Sequence, residues 1–226
     1  EVNLLEISLA PTAQPRLYVA VYSGSSSDPA GREGLAWVTA TLIARQAGEA
    51  ITVAVTRDMT LFAVTANAGR EPAARARARA ILKPVFAAES LEQARKEALA
   101  AIESIRLDSD RLAVEALHAF IHKGHAYGHP PPGTISGLER ITVDDALAFH
   151  AGHYLKGNLA IAVPRGSNGQ MLAGIRSDIA AISNGEPIRG DQEVTFLPRP
   201  AFLVVESASA PPTGIIVVGH PTPVTV

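Results

Sequence analysis

The amino-acid sequence predicts an α+β fold in which helices are layered on a largely antiparallel sheet. Two observations support this prediction: short apolar runs with strand-like alternation occur in pairs, and segments with helical periodicity lie between and after the pairs. A chain of 226 residues is long enough for one large domain with a sizeable core. We expect residues 1–183 to form this domain, residues 184–200 to be a linker, and residues 201–226 to begin a second, similar domain that is incomplete here.

The first half of the chain contains two predicted strand pairs with a helix between them. The first pair is interrupted by Pro11 and Pro15, which is hairpin-like patterning. The helix has one apolar face and stops before Gly48. The second pair alternates around Arg57 and Asp58. The predicted elements are strands at 4–9, 17–22, 51–55 and 61–65, and a helix at 34–46.

The second half of the chain is predicted to be mainly helical. An Ala/Arg-rich segment stops at Pro84, because proline cannot continue a helix. Ser90 with Gln93 has the spacing of a capping box, and Thr142 with Asp145 marks another helix start. The predicted elements are helices at 73–82, 92–105, 111–123, 142–153 and 170–182, and a strand at 158–163. Two apolar runs at 202–206 and 214–219 are strand-like.

Composition and charge exclude several classes of function. Twenty Lys and Arg oppose 22 Asp and Glu without any block of like charge, so no nucleic-acid footprint is indicated. No apolar run reaches the roughly 18 residues that a membrane-spanning helix needs. The absence of cysteine excludes disulfides, thiolate catalysis and cysteine zinc sites. It leaves the compartment open between periplasm and cytoplasm.

Two stretches carry a family resemblance. The longer one runs from Tyr127-Gly128 through Thr142 and Asp145 to Asn158, and the shorter one is the Gly34-Leu35-Ala36 entry to the first helix. In order and spacing they resemble the amino-terminal half of a pitrilysin/insulinase-type zinc peptidase, including the processing-peptidase branch. The resemblance covers roughly residues 4–182. It implies a half-clamp domain, because members of this family pair two similar halves around an extended peptide.

The resemblance also implies where the zinc motif of the family would lie. In His-x-x-Glu-His the two histidines bind zinc, the Glu activates the bound water, and a distant Glu is the third ligand. The resemblance places Trp37 and Thr41 at the two His positions, Ala40 at the general-base position and Ala101 at the distant ligand. None of them can perform the original role. We therefore expect no catalytic residue, no metal ligand and no cofactor in this chain.

A second departure from the family pattern follows the first predicted helix. The chain passes almost directly from Gly48 to the strand at 51–55, where the family usually has an additional segment. The separation between Trp37 and Ala101 is therefore shorter than the family pattern implies. The missing segment weakens the alignment of Ala101 with the distant zinc ligand more than the alignment of Trp37 with the first histidine.

Four histidines form the densest group of candidate metal ligands outside that motif. His118 and His122 are four residues apart, so they can share a helix face as in a zinc site. No carboxylate follows them at motif spacing, and His125 lies in a His-x-Tyr-Gly turn that the resemblance already explains. Structural or solvent-facing roles are favoured for these two, for His125 and for His129. An independent peptidase that uses this group is kept as a third hypothesis.

Three further segments carry polar residues for which structural roles in loops, turns or helix ends are favoured over catalytic ones. The serine-rich run at 24–28 lacks a nucleophile elbow or a Walker lysine, so it is predicted to be a strand-to-helix loop. Residues 165–169 are predicted to form a turn. Glu103 and the acidic residues at 108–110 are predicted to be helix-end and solvent charges rather than an acid/base pair.

The leading functional hypothesis is a non-catalytic subunit or homologue of such a peptidase. Its expected partners are a zinc-bearing homologous subunit and an extended peptide, with zinc held by that partner. Nucleic acid and a membrane span are not expected. The alternative is a structural or binding protein that uses the same fold without any role in proteolysis, since core subunits of respiratory complexes also resemble this family.

Overall fold

The protein is a two-layer α+β structure. Its strands have apolar residues at alternate positions, and its helices have apolar residues at helical spacing. The structure is a computed structural model, and it describes residues 3–8, 14–66, 69, 71–185, 201–206 and 214–219. The elements are β1 (Asn3–Ile7), β2 (Arg16–Val21), α1 (Leu35–Ala47), β3 (Ile51–Val55), β4 (Thr60–Thr65), α2 (Glu71–Leu82), α3 (Ala88–Leu107), α4 (Ser109–Ile121), α5 (Ile135–Arg140), α6 (Val143–His153), β5 (Leu159–Pro164) and α7 (Gly169–Ala180).

The five strands form one sheet in the spatial order β1-β5-β2-β4-β3. β1 and β5 are parallel, and every other pair is antiparallel, so the predicted fold class is confirmed. The predicted hairpin between the first two strands is wrong, because β5 lies between β1 and β2. The alternation correctly indicated two strands. Both strands pair with β5, which lies far along the chain, as in the pairs Asn3–Ala160 and Tyr18–Ala162.

The core lies between one face of the sheet and the helices. The inward residues of β2, β4 and β5, such as Val19, Phe62 and Ile161, have no exposed surface. α1 packs across this face and also contacts α2, α3 and α6. Because α1 is surrounded in this way, every residue from Leu35 to Ile43 except the half-buried Trp37 is buried.

The start of α1 is fixed by the buried side chain of Asp28. Its two carboxylate oxygens accept hydrogen bonds from the backbone N–H groups of Gly34 and Ala36, each at 2.7 Å. Gly34 has a φ of 106°, and a Cβ there would lie 2.7 Å from the carbonyl oxygen of Pro132. Only glycine fits this entry, which gives a physical reason for Gly34 in the Gly34-Leu35-Ala36 sequence.

Helix boundaries agree with the sequence prediction at some ends and differ at others. Thr142 and Asp145 form the predicted capping box of α6. The predicted capping box at Ser90 is wrong, because α3 begins at Ala88 and its N-cap, Ala87, makes no side-chain cap. The one-and-a-half-turn helix α5 is absent from the sequence prediction, although Thr134 caps it by accepting a hydrogen bond from the Gly137 N–H.

The sequence predicts a linker and the start of a second domain in the region after α7. Of the predicted linker, residues 186–200 lie outside the described residues. The runs at 201–206 and 214–219 are described, and neither forms a strand there, so the predicted strands at 202–206 and 214–219 are not present in the structure. The division into domains stays a prediction. Across the described ranges, no helix is long and apolar enough to cross a membrane.

Removing the Asp28 carboxylate should destabilise the chain through the start of α1. In Asp28→Ala, two buried N–H groups lose their acceptors, which costs about 1–3 kcal/mol each when no substitute is found. We expect the free energy of unfolding in urea to fall by roughly 2–4 kcal/mol, and Asp28→Asn, which keeps one acceptor, to lie between. The control is Asp144→Ala on the exposed first turn of α6, for which we expect little change. Equal losses in Asp28→Ala and Asp144→Ala would contradict this account.

Acid should destabilise the chain through His153. Burial lowers the pKa of His153 to about 4 from an ordinary value of 6.5, so between these values the unfolded chain binds a proton that the native chain does not. Stability therefore falls as the pH falls below about 6.5, by about 2 kcal/mol for this group at pH 5. Urea unfolding at pH 7 and pH 5 measures this loss. His153→Gln should shrink the difference between the two pH values by about that amount, and an unchanged difference would contradict the prediction.

Candidate functional site

α1 presents the positions that the family resemblance relates to the zinc motif. Trp37 and Thr41 are one helical turn apart, so they lie on the same side of α1, and Ala40 adjoins Thr41. Thr41 and Ala40 are buried, and Trp37 is half-buried against the core. α3 packs against α1 and carries Ala101, which is half-buried. The register that relates these four residues to zinc ligands stays a prediction.

The chemistry of these four side chains does not fit a zinc ion. Zinc in proteins is held by imidazole nitrogens, thiolates and carboxylates. The indole of Trp37 can only donate a hydrogen bond, its Nε1 is buried without a partner, and the hydroxyl of Thr41 is a weak neutral ligand. The two alanines offer no ligand atom. Within the described ranges, no group of three or more His, Asp or Glu side chains has an arrangement that could hold a metal ion.

Three of the four candidate histidines come together at the end of α4. The rings of His118 and His122 are stacked with centroids 5.8 Å apart, and the ring of His125 lies 6.1 Å from that of His122. Tyr127 completes the group, 5.6 Å from His122 and 5.4 Å from His125. We call these four residues the histidine cluster.

Arg57, at the tip of the β3–β4 hairpin, joins the hairpin to the histidine cluster. Its Nη2 lies 2.5 Å from Oε2 of Glu115 on α4, and its Nε donates to the carbonyl oxygen of Tyr127 at 3.1 Å. Burial, followed by the charge of Arg57, lowers the pKa of His118. Burial, the neighbouring imidazoles and Arg57 also lower the pKa of His122. His118 stacks on His122 and His125 stacks on Tyr127, so these side chains pack against one another and the cluster fits a structural role.

His129 is separate from the histidine cluster and points towards Asp28. Its Nδ1 donates to the carbonyl oxygen of Pro130 at 3.1 Å, and its Nε2 lies 3.8 Å from Oδ2 of Asp28. Burial lowers the pKa of His129 and raises that of Asp28 well above its ordinary value. His129 therefore belongs to the support of α1 rather than to a metal site.

The serine-rich loop between β2 and α1 contains a serine–histidine contact that sequence spacing does not reveal. Oγ of Ser23 lies 3.0 Å from Nδ1 of His153, 130 positions away, and donates to Oγ of Ser27 at 2.7 Å. Ser23 and His153 are 2% and 5% exposed. Because both side chains are almost completely buried, this hydroxyl is out of reach of a substrate, which agrees with the predicted strand-to-helix loop.

The remaining polar candidates have structural roles at helix ends. Asn168 caps α7 by accepting a hydrogen bond from the Met171 N–H at 2.7 Å. Asp108 caps α4 by accepting from two backbone N–H groups at 3.1 Å. Glu103 pairs with Arg106 one turn away at 3.6 Å. These contacts agree with the prediction of turn and helix-end residues.

Among the described strands, β3 lies at the edge of the sheet, and the backbone groups on its outer side pair with none of them. β3 pairs only with β4 among the described strands. The backbone N–H of Thr65 donates to the carbonyl of Ala50, and that of Thr56 donates to the carbonyl of Met59. These two bonds show which residues of β3 face β4 in the antiparallel ladder. The N–H and C=O groups of the alternate residues, Ile51, Val53 and Val55, therefore point away from β4. This edge lies beside α1, since α1 packs on β3.

Comparison with solved structures shows which known proteins share this fold. No protein-family model matches the chain, and no curated protein matches it significantly. Among solved structures, it is similar to the inactive domain of an M16 peptidase from Pseudomonas fluorescens, with 25% identity over 85% of this chain and 50% of that one and a TM-score of 0.68. Pitrilysin matches at 19% identity over 86% of this chain and 23% of that one, with a TM-score of 0.72.

A further match is a chain of complex III2 from Candida albicans, at 18% identity over 87% of this chain and 48% of that one, with a TM-score of 0.68. The chain therefore spans half or less of the length of these solved structures. Likeness at these identities establishes the architecture, and α1 carries no zinc-ligand chemistry at the positions discussed above. The chain has the fold of the pitrilysin-like M16 peptidases and resembles an inactive M16 domain.

Proposed function

We propose that the chain is a non-catalytic half of an M16-type peptidase that supplies a peptide-binding wall to a zinc-bearing partner. The observation that carries this proposal is the chemistry of α1, whose buried surface offers an indole, methyl groups and one hydroxyl where the family motif would have ligands. Likeness to an inactive M16 domain supports the same conclusion. Catalysis then depends on a second, homologous half, which carries the His-x-x-Glu-His motif and holds the zinc.

The free edge of β3 is the proposed site for the peptide. An extended peptide can add to an open sheet edge by hydrogen bonds to its backbone, with little demand on its sequence. The outward N–H and C=O groups of Ile51, Val53 and Val55 supply such an edge. The adjacent hairpin tip is held in place by Arg57, which contacts Glu115 and the Tyr127 carbonyl. The edge is therefore prepared before the peptide arrives, which lowers the entropic cost of binding.

The second candidate is a structural protein that uses this fold without proteolysis. The likeness to a chain of complex III2 favours it. The two candidates share the fold and the absent zinc ligands, and they differ in what the chain does to a peptidase partner. A structural protein would leave the activity of a motif-bearing homologue unchanged.

Mixing the chain with its closest motif-bearing homologue should separate these candidates. We expect the purified full-length protein alone to hydrolyse no peptide, and the mixture to hydrolyse peptide faster than the homologue alone, with both proteins eluting together in size-exclusion chromatography. In the control, the motif Glu of the homologue is changed to Gln, and activity should disappear. Activity that survives in this control would place catalysis in the present chain and contradict the proposal. A mixture no more active than the homologue would favour the structural candidate.

Blocking the free edge of β3 should weaken peptide binding. Val53→Pro removes an N–H that faces away from the sheet, so it breaks no bond to β4, and proline is tolerated on strand edges for this reason. The loss of one net hydrogen bond, about 1 kcal/mol, should raise the Kd of the mixture for a fluorescein-labelled substrate peptide by at least about fivefold. Fluorescence anisotropy measures this change.

The matched control is Val53→Ala, which shortens the same side chain but keeps the N–H. It should bind the peptide with nearly unchanged Kd, and thermal unfolding should show that both variants remain folded. Equal weakening in the two variants would assign the effect to the side chain and contradict backbone addition at β3. Unchanged binding in Val53→Pro would show that the peptide lies elsewhere.

A further inference from the structure

The C-terminal ends of three helices meet around a cavity that the proposed function does not use. α2 ends at Leu82, α6 at His153 and α7 at Ala180, and residues at or just beyond these ends line a cavity of about 290 Å³. This volume lies near the lower end of the range of about 300–1,000 Å³ that is usual for small-molecule sites. We call it the three-helix cavity.

The walls of the three-helix cavity are mainly apolar and include a pair of stacked rings. Leu82, Leu155 and Ile182 line it, and each is less than a tenth exposed. His150 and Tyr154 also line it, and their rings are stacked with centroids 4.3 Å apart and 29° between the ring planes. Apolar walls that include a flat aromatic pair suit a ligand that carries an aromatic ring.

The hydroxyl of Tyr154 is a polar group at this cavity that lacks a partner. Tyr154 is 4% exposed, and its hydroxyl oxygen forms no hydrogen bond with any described residue. Burial raises the pKa of Tyr154, so the hydroxyl keeps its proton and can donate. A buried donor without an acceptor is destabilising, and a ligand that brings an acceptor to it gains this bond.

The charges around the three-helix cavity favour an uncharged ligand. Each of the three helix C-termini carries about half a negative charge, which disfavours a carboxylate. The ammonium group of Lys83, an exposed residue that lines the cavity, disfavours a cation. Burial lowers the pKa of His150, and its Nε2 donates to the carbonyl oxygen of Ile81 at 3.1 Å, so this ring is neutral near pH 7. The group that still needs a partner is the Tyr154 hydroxyl.

We infer that the three-helix cavity binds a small, uncharged aryl carbonyl compound. The aromatic ring of the ligand lies among the apolar walls beside His150 and Tyr154, and its carbonyl oxygen accepts a hydrogen bond from the Tyr154 hydroxyl. None of the residues that line the cavity belongs to β3 or α1. Binding there is therefore separate from the proposed peptide edge and from the positions related to the zinc motif.

Two ligands of matched shape test the hydrogen bond to Tyr154. Acetophenone has the carbonyl group, and α-methylstyrene has the same outline with a CH2 group in place of the oxygen. Their dissociation constants are measured for the full-length protein by ligand-observed NMR. Tyr154→Phe removes only an unpaired hydroxyl, so this variant should be at least as stable as the unsubstituted protein. It should bind acetophenone about fivefold more weakly and α-methylstyrene with an unchanged Kd.

A second variant tests where the ligands bind. Ala151 lines the cavity and is exposed, so Ala151→Trp should fill part of the cavity without disturbing the core. We expect this variant to bind both ligands at least about tenfold more weakly. The matched control is Ala100→Trp at an exposed position of α3 outside the cavity, and it should bind both ligands as the unsubstituted protein does. Circular dichroism and thermal unfolding establish beforehand that all variants are folded.

Benzoate and benzylamine, which carry opposite charges at pH 7, test the preference for an uncharged ligand. Both should bind more weakly than acetophenone, and tighter binding of either ion would contradict the inference. Three other outcomes would overturn it: no binding of acetophenone up to its solubility limit, equal effects of Tyr154→Phe on the two matched ligands, or unchanged binding in Ala151→Trp. These measurements use neither a peptidase partner nor a peptide, so their outcome is independent of the proposed function.

Discussion

The buried carboxylate of Asp28 anchors α1, the helix that contacts both the sheet and three other helices. It accepts hydrogen bonds from the backbone N–H groups of Gly34 and Ala36, and so fixes the point at which α1 begins. α1 packs against the sheet and against α2, α3 and α6, so it lies at the centre of the helix layer. His129 lies beside the same carboxylate, which ties the start of α1 to the turn that precedes α5.

The same constraint explains how the fold can be kept without zinc chemistry. A metal site needs ligands that point from α1 and α3 towards one ion, and its loss would leave a space between the helices. Half-buried Trp37 supplies a large apolar side chain on α1, and Ala40 and Thr41 are buried in the helix layer. Packing and the Asp28 cap can therefore hold α1 without a metal. The M16 fold is therefore compatible with an α1 that offers no zinc ligand at the positions that the family resemblance indicates.

The sequence predicted the elements better than their arrangement, because elements depend on local periodicity and arrangement on distant contacts. The capping box of Thr142 and Asp145 lies within four residues and was predictable. The insertion of β5 between β1 and β2 was not, since nothing in residues 4–22 specifies a partner near residue 160. The helix α5 was missed because its six residues are too few to show a period.

For the candidate site, the sequence indicated individual residues but not the tertiary contacts between them. The substitutions at Trp37, Ala40, Thr41 and Ala101 could be named only through a family resemblance, and their register stays a prediction. The spacing of His118 and His122 indicated a shared helix face, but only the structure shows that Arg57 lies beside them. The contact of Ser23 with His153 and the free edge of β3 both arise from tertiary structure, so no local signal could have revealed them.

Introducing the four zinc ligands and measuring bound metal tests whether these side chains alone keep zinc from α1 and α3. A variant with Trp37→His, Ala40→Glu, Thr41→His and Ala101→Glu would recreate the complete family motif on α1 and α3. Metal analysis after exhaustive dialysis against zinc-free buffer should find no zinc in the unsubstituted chain and about one zinc ion per chain in the variant. Stoichiometric zinc in the unsubstituted chain, or none in a folded variant, would contradict the account.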